Sequence, residues 1–195
     1  GSVAVVTPHI ARWFFSEVIA GAESVMQHAD LDLLLMNVGE HQSRVSRIPP
    51  TARIRRRVDG ILIVALPPQD PDLEPIVNLG MPTVMIGGVT PGVDCFVIDD
   101  VAAARKATEY LVSLGHSKIA LISGKSAAAR LTAGSQRERG YRTVMAAHSL
   151  AQDPMLEVSG HFTIEGGENG MDALLNQPNP PTAVFAMSDE MAFGA

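Results

Sequence analysis

A single cysteine, Cys95, stands among 195 residues. One cysteine excludes an internal disulfide and any site built from several cysteine ligands. Aromatic side chains make up only 5% of the chain, with one Trp and two Tyr. Any aromatic cluster therefore stands out against a sparse background. Positive charge is also short: 15 Lys and Arg face 21 Asp and Glu, a net charge of −6. Binding a polyanion without regard to its sequence needs a basic face, and this balance argues against one. Long apolar runs are absent. The longest, Ile61 to Leu66, falls far short of the roughly 20 residues that cross a bilayer, so no membrane partner is expected. Residue 3 already lies in a strand-like run with no basic region and apolar stretch ahead of it, so no secretory leader is expected.

What is present is a core. Hydrophobic residues make up 46% and charged residues 18%, which excludes bulk disorder. The length suits one domain or two small ones at roughly 150 residues each. Apolar periodicity alternates between two and about 3.6 along the chain. Strand-like runs are expected at Ser2 to Thr7, Leu31 to Val38, Asp59 to Leu66, Pro82 to Ile86, Asp94 to Ile98, Lys118 to Ser123, Leu156 to Val158 and Ala183 to Met187. Helical spacing separates them. Phe14, Val18, Ala22, Val25 and Ala29 form one stripe, and Gly115 stands where a C′ glycine would end the helix Val101 to Leu114. Short helices are expected after the polar loop Glu40 to Thr51 and over Asp70 to Leu79. This alternation predicts parallel sheets with helices on both faces. Five strands precede Gly115 and three follow it. The reading is therefore an α/β fold of two doubly wound parallel-sheet lobes, residues 1–116 and 117–195, the second C-terminally incomplete.

Several chemistries lack their residues. Ser123-Gly124-Lys125-Ser126 resembles the end of a phosphate-binding loop, but position 119 is Ile where a glycine is needed. No G-x-G-x-x-G follows the first strand. The six histidines contain no i, i+4 pair, so a metal site and a cofactor of that kind have no support. No nucleophile elbow exists, and no nucleophile and base stand out as a pair, so an enzyme is not expected. Asp99 and Asp100 are adjacent at a strand end and point opposite ways, so they read as a helix cap rather than an acid pair.

What remains is a set of loops at strand carboxyl ends, where open parallel sheets bind ligands. They carry Arg12, Phe14 and Phe15 after the first strand, Arg137 after the sixth, Phe162 before a helix, and Ser188 and Asp189 after the last. Aromatic planes stack on apolar C–H faces or bases, and an arginine fork bonds paired oxygens. These groups suit a sugar or nucleoside. The alternative is structural: Phe14, Phe15 and Phe162 as core, Ser188 and Asp189 as a cap, and Arg53, Arg55, Arg56 and Arg57 as a solvated helix face.

At these positions the chain resembles the effector-binding core of the lac repressor and galactose repressor (LacI/GalR) family. The matching stretches are VAVVTP and FFSEVIAGAE (within 3–23), RRRVDGILIV (55–64), PTVMIGG (82–88), VIDDVAAARKATEYLVSLGHSKIALISG (97–124), RERGY (137–141), GHFTIEGG (160–167) and PTAVFAMSDEMAFGA (181–195). The resemblance implies the type I periplasmic-binding-protein fold, with a small effector held between the lobes by Arg12, Phe14, Phe15, Arg137, Phe162 and Ser188. It implies a cytoplasmic transcriptional regulator, a homodimer, whose operator contact belongs to a helix-turn-helix domain outside this chain. Arg12-Trp13 stands where the family often has Asn-Pro, Ser188 where it has Asn, and Gly87-Gly88 where sugar binders carry Asp-Arg. The pocket is thus expected to prefer a ligand other than the common hexoses. The alternative is a periplasmic sugar-binding protein of a transporter.

Overall fold

A computed structural model describes residues 1–39, 51–67, 73–124, 132–150 and 152–195, without the side chains of Thr51 and Ala52. The expected loop at 40–50, the start of the helix expected over 70–79, and Lys125 and Ser126 lie outside the described residues.

Two compact units divide the chain, Gly1–Val97 and Ile98–Ala195. The first holds β1 (Ser2–Thr7), α1 (Trp13–His28), β2 (Asp32–Asn37), α2 (Thr51–Arg55), β3 (Gly60–Val64), α3 (Glu74–Val77), β4 (Thr83–Ile86) and β5 (Asp94–Phe96). Its sheet runs β2-β1-β3-β4-β5 with every pair parallel. Parallel pairing makes the chain cross back before each new strand, and α1, α2 and α3 lie in the crossovers between the first four strands, while β4 runs to β5 without a helix. Ala4, Val6, Ile61, Ile63, Ile76 and Met85 bury its core.

The second unit holds α4 (Asp100–Ser113), β6 (Ile119–Ser123), α5 (Ala133–Ala147), a 3₁₀ turn (Pro154–Leu156), β7 (Glu157–Ser159), α6 (Ile164–Leu175), β8 (Ala183–Ala186) and α7 (Asp189–Gly194). Its three strands are parallel in the order β7-β6-β8. All five residues of central β6 are buried, as a strand covered on both faces requires. Tyr141 from α5 stacks on Phe185 of β8 at 6.1 Å and donates its hydroxyl to the Ile119 carbonyl at 2.8 Å. Arg142 bridges Glu138 at 2.8 Å and Glu157 at 2.6 Å, tying α5 to β7.

Two expectations are corrected. The lobe boundary expected at residue 116 falls between Val97 and Ile98, because α4 packs along α5 and belongs with the second sheet. The close approach is visible at Gly140, where an added Cβ would meet the Val101 carbonyl at 2.6 Å and Ala104 Cβ at 2.7 Å. The stripe of α1 is also shifted. Phe14 and Val25 are exposed, and the half-buried positions are Phe15, Val18, Ile19, Ala22 and Met26. The spacing of three and four fits both stripes, since α1 is apolar on more than one face. Gly115 does terminate α4. Its φ is +90°, and the Gly115 and His116 amides turn back to the carbonyls of Val112 and Leu111.

Candidate functional site

The second unit collects its candidate residues at the carboxyl edge of its sheet. Gly124 follows β6, Gly160 follows β7 and Met187 follows β8. The Gly160 amide donates to the Ser123 carbonyl at 2.8 Å and the Met187 amide to that of Ile122 at 3.1 Å, so the three loops leave one edge together. Such an edge exposes loop backbone and helix starts side by side, which is where parallel sheets hold ligands.

Arg137 lies on α5, opposite this edge. Its Nε donates to Asp100 Oδ1 at 2.8 Å and its Nη1 to the Met187 carbonyl at 2.6 Å. Two anchors from two elements fix the plane of the fork. The Arg137 side chain is 31% exposed and that of Asp100 12%. Ser188 follows the carbonyl that Arg137 holds. It is the N-cap of α7, its Oγ accepting from the Met191 amide at 3.3 Å. Asp189 is exposed in the first turn of the same helix. The capping role is therefore present at Ser188, and the same residue stands beside the anchored fork.

Phe162 reaches this edge through an unusual backbone. His161 and Phe162 both have positive φ, 52° and 56°. Side chains other than glycine's pay for that conformation, so the packing around them must hold it. The holding contact is Gly124: a Cβ there would overlap the Phe162 ring. The ring also lies against Gly134, whose Cβ would stand 3.2 Å from Phe162 Cζ. Gly134 is in the first turn of α5, one turn before Arg137. Phe162 is half-buried and packs in part on the core of the second unit, so its core role is real.

The Asp99 and Asp100 pair divides its work. Asp99 Oδ1 caps α4 by accepting from the Ala102 amide at 2.9 Å, as expected. Asp100 turns away and binds Arg137. Sequence reasoning missed that second role because the two residues are 37 positions apart and nothing local marks the pairing.

The first unit gathers Arg12, Phe14 and Phe15 at the start of α1. Thr7, wholly buried at the end of β1, donates its hydroxyl to the His9 carbonyl at 2.8 Å and turns the chain toward the helix. Arg12 occupies the N-cap position of α1 in extended backbone conformation. Phe15 is half-buried, edge-on to Phe14 at 5.2 Å and to His9 at 5.3 Å. Phe14 is 40% exposed. His9, which the sequence reading did not single out, belongs to this cluster. Its only sequence signal is its place just after a strand end.

Two titrations are displaced, both in the scaffold. Burial, reinforced by the Glu157 charge, pushes the Tyr141 hydroxyl up to about 12. The hydrogen bond that Arg142 donates to the Glu157 carboxylate raises the guanidinium above its ordinary value. Among the described residues, no three His, Cys, Asp or Glu side chains cluster as a metal site. No described helix is long and apolar enough to cross a membrane.

Residues 1–195 match the family described as periplasmic binding proteins and sugar binding domain of LacI family. The HTH-type transcriptional repressor CytR of Escherichia coli (strain K12) is 33% identical over 197 aligned residues, spanning 100% of this chain and 56% of that protein. The ribose operon repressor of the same strain is 33% identical over 186 residues, 93% of this chain and 54% of that protein. The chain thus spans about half the length of these relatives. Among solved structures, a transcriptional regulator CelR–cellobiose complex is 29% identical with a TM-score of 0.74, covering 97% of this chain and 59% of that one.

Proposed function

The chain belongs to the family of periplasmic binding proteins and LacI-type sugar-binding domains, and from that premise we propose that it is the effector-sensing part of a transcriptional regulator. It binds a sugar or related metabolite and carries no catalytic step. The observation that carries this reading is the Arg137 fork, held at both Nε and Nη1 next to Ser188, one turn along α5 from Gly134, against which the Phe162 ring lies. An arginine so anchored presents its remaining donors in one plane, and an aromatic face nearby suits the C–H side of a pyranose, a furanose or a base. Ser188 and Asp189 add short polar groups at the same edge. In the first unit, Arg12, Phe14 and Phe15 form the second group of ligand-contacting candidates.

Support comes from the relatives, two of which are repressors by name, one of a ribose operon. A related regulator has been solved with cellobiose. The regulator works in the cytoplasm as a homodimer, and operator contact belongs to a helix-turn-helix domain outside these residues. Ligand and DNA are then coupled by the ligand's unequal affinity for two states of the protein.

The test is a calorimetric screen of ribose, cellobiose and the common nucleosides against this chain. Binding of one of them, weakened more than about tenfold in Arg137→Gln, supports the reading, since a lost charged hydrogen bond costs roughly that much. Affinity unchanged by that substitution removes Arg137 from the site.

A further inference from the structure

Arg137 is a donor whose charge is already matched. Asp100 lies 2.8 Å from Nε and is the better shielded of the two, with 12% of its side chain exposed against 31%. It also stands in the first turn of α4, where the helix end favours a carboxylate. The Met187 carbonyl takes Nη1. Among the described residues none bonds Nη2, and with the side chain 31% exposed its two N–H groups are the donors left for a ligand. The pair therefore offers directed donors with little net positive charge behind them.

We infer that Asp100 is a specificity-determining residue that makes the Arg137 site select uncharged, oxygen-bearing ligands and reject anions such as phosphate esters. This rests on the reading above that Arg137 contacts the ligand. An anion placed on Nη2 meets one of two obstacles. It shares the guanidinium with Asp100, which brings two negative charges onto one side chain. Otherwise it displaces Asp100 from its shielded place at the start of α4. A neutral hydroxyl or carbonyl oxygen meets neither obstacle, because it needs only the N–H groups. Asp189 and Glu190, in the first turn of α7 shortly after Met187, add negative charge to the same edge and act in the same direction.

The experiment uses inorganic phosphate as the anionic probe, so it needs no knowledge of the effector. Phosphate affinity is measured by calorimetry for the unaltered chain, Asp100→Asn, and Asp100→Asn combined with Arg137→Gln. Asparagine keeps an acceptor for Nε and removes the charge. The expected result is at least about tenfold tighter phosphate binding in Asp100→Asn, lost again in the double variant, the size set by removing one close like charge. Equal phosphate affinity in Asp100→Asn and the unaltered chain overturns the proposal, and so does a gain that survives loss of Arg137. Should Asp100→Asn fail to fold, as circular dichroism reports, the unaltered chain and Arg137→Gln decide. Phosphate binding that depends on Arg137 overturns the proposal, and its absence supports it. Failure of the effector-sensing reading is seen separately, in the screen of neutral sugars and nucleosides.

Discussion

The ring of Phe162 occupies the volume that a side chain on Gly124 would need. The two residues lie in loops after β7 and β6, and their contact holds an aromatic face at the carboxyl edge of the second sheet. Gly124→Ala must therefore move the ring or the strand end. The expected outcome is a loss of about 1–3 kcal/mol in urea unfolding, the usual cost of overpacking, with effector affinity falling as the ring leaves its place. Unchanged stability and affinity would show that the ring moves aside freely.

His161 and Phe162 share a left-handed backbone, and only one of them needs its side chain for the proposed site. His161→Gly relieves a conformational cost of about 1–2 kcal/mol while adding freedom to the unfolded chain. The expected net effect is a stabilisation of up to about 1 kcal/mol with ligand affinity preserved, read from the urea midpoint and calorimetry. A clear destabilisation would mean that His161 makes an energetic contribution of its own.

Ser188 carries a cap and a candidate ligand contact at once, and two substitutions separate them. Ser188→Ala removes the bond to the Met191 amide and should cost about 1 kcal/mol, the ordinary value of a lost N-cap. Ser188→Asp keeps a capping acceptor, so stability should be retained. If Ser188 touches ligand, the Asp variant still changes affinity. Affinity that follows stability in both variants identifies Ser188 as a cap alone.

Tyr141 gives the fold an alkaline limit. Its hydroxyl titrates near 12 in the folded chain against 10 in the unfolded one. The raised value means the folded state keeps its proton where the unfolded state has lost it. The associated stability is complete below pH 10 and is lost as pH rises toward 12, an effect of about 2–3 kcal/mol at most. Tyr141→Phe removes the hydrogen bond to Ile119 and should flatten this part of the profile. A slope identical in the Phe variant would assign the alkaline loss to other groups.

Much of the architecture is readable before any coordinates, and the reason is local. Parallel strands covered on both faces must be continuous apolar runs, so Ile119 to Ser123 and Gly60 to Val64 announce themselves. Ser188 and Asp99 each precede a helix and each caps it, since a short side-chain oxygen satisfies an amide three residues on. The misread features are those in which local signals are ambiguous. The α1 stripe has apolar residues on more than one face. The boundary at residue 116 followed the end of a helix, where the packing of α4 on α5 places it near residue 97.

Strands, helices and their caps follow from the sequence alone, because periodicity and capping act over a handful of residues. Arg137, Phe162 and Ser188 were also legible as candidates, from their places after strands and from the family resemblance. Only the tertiary structure pairs Arg137 with Asp100, sets Phe162 over Gly124 and adds His9 to the aromatic cluster at α1. These depend on which strand ends lie side by side. That order is decided by long-range packing, and no short window of sequence contains it.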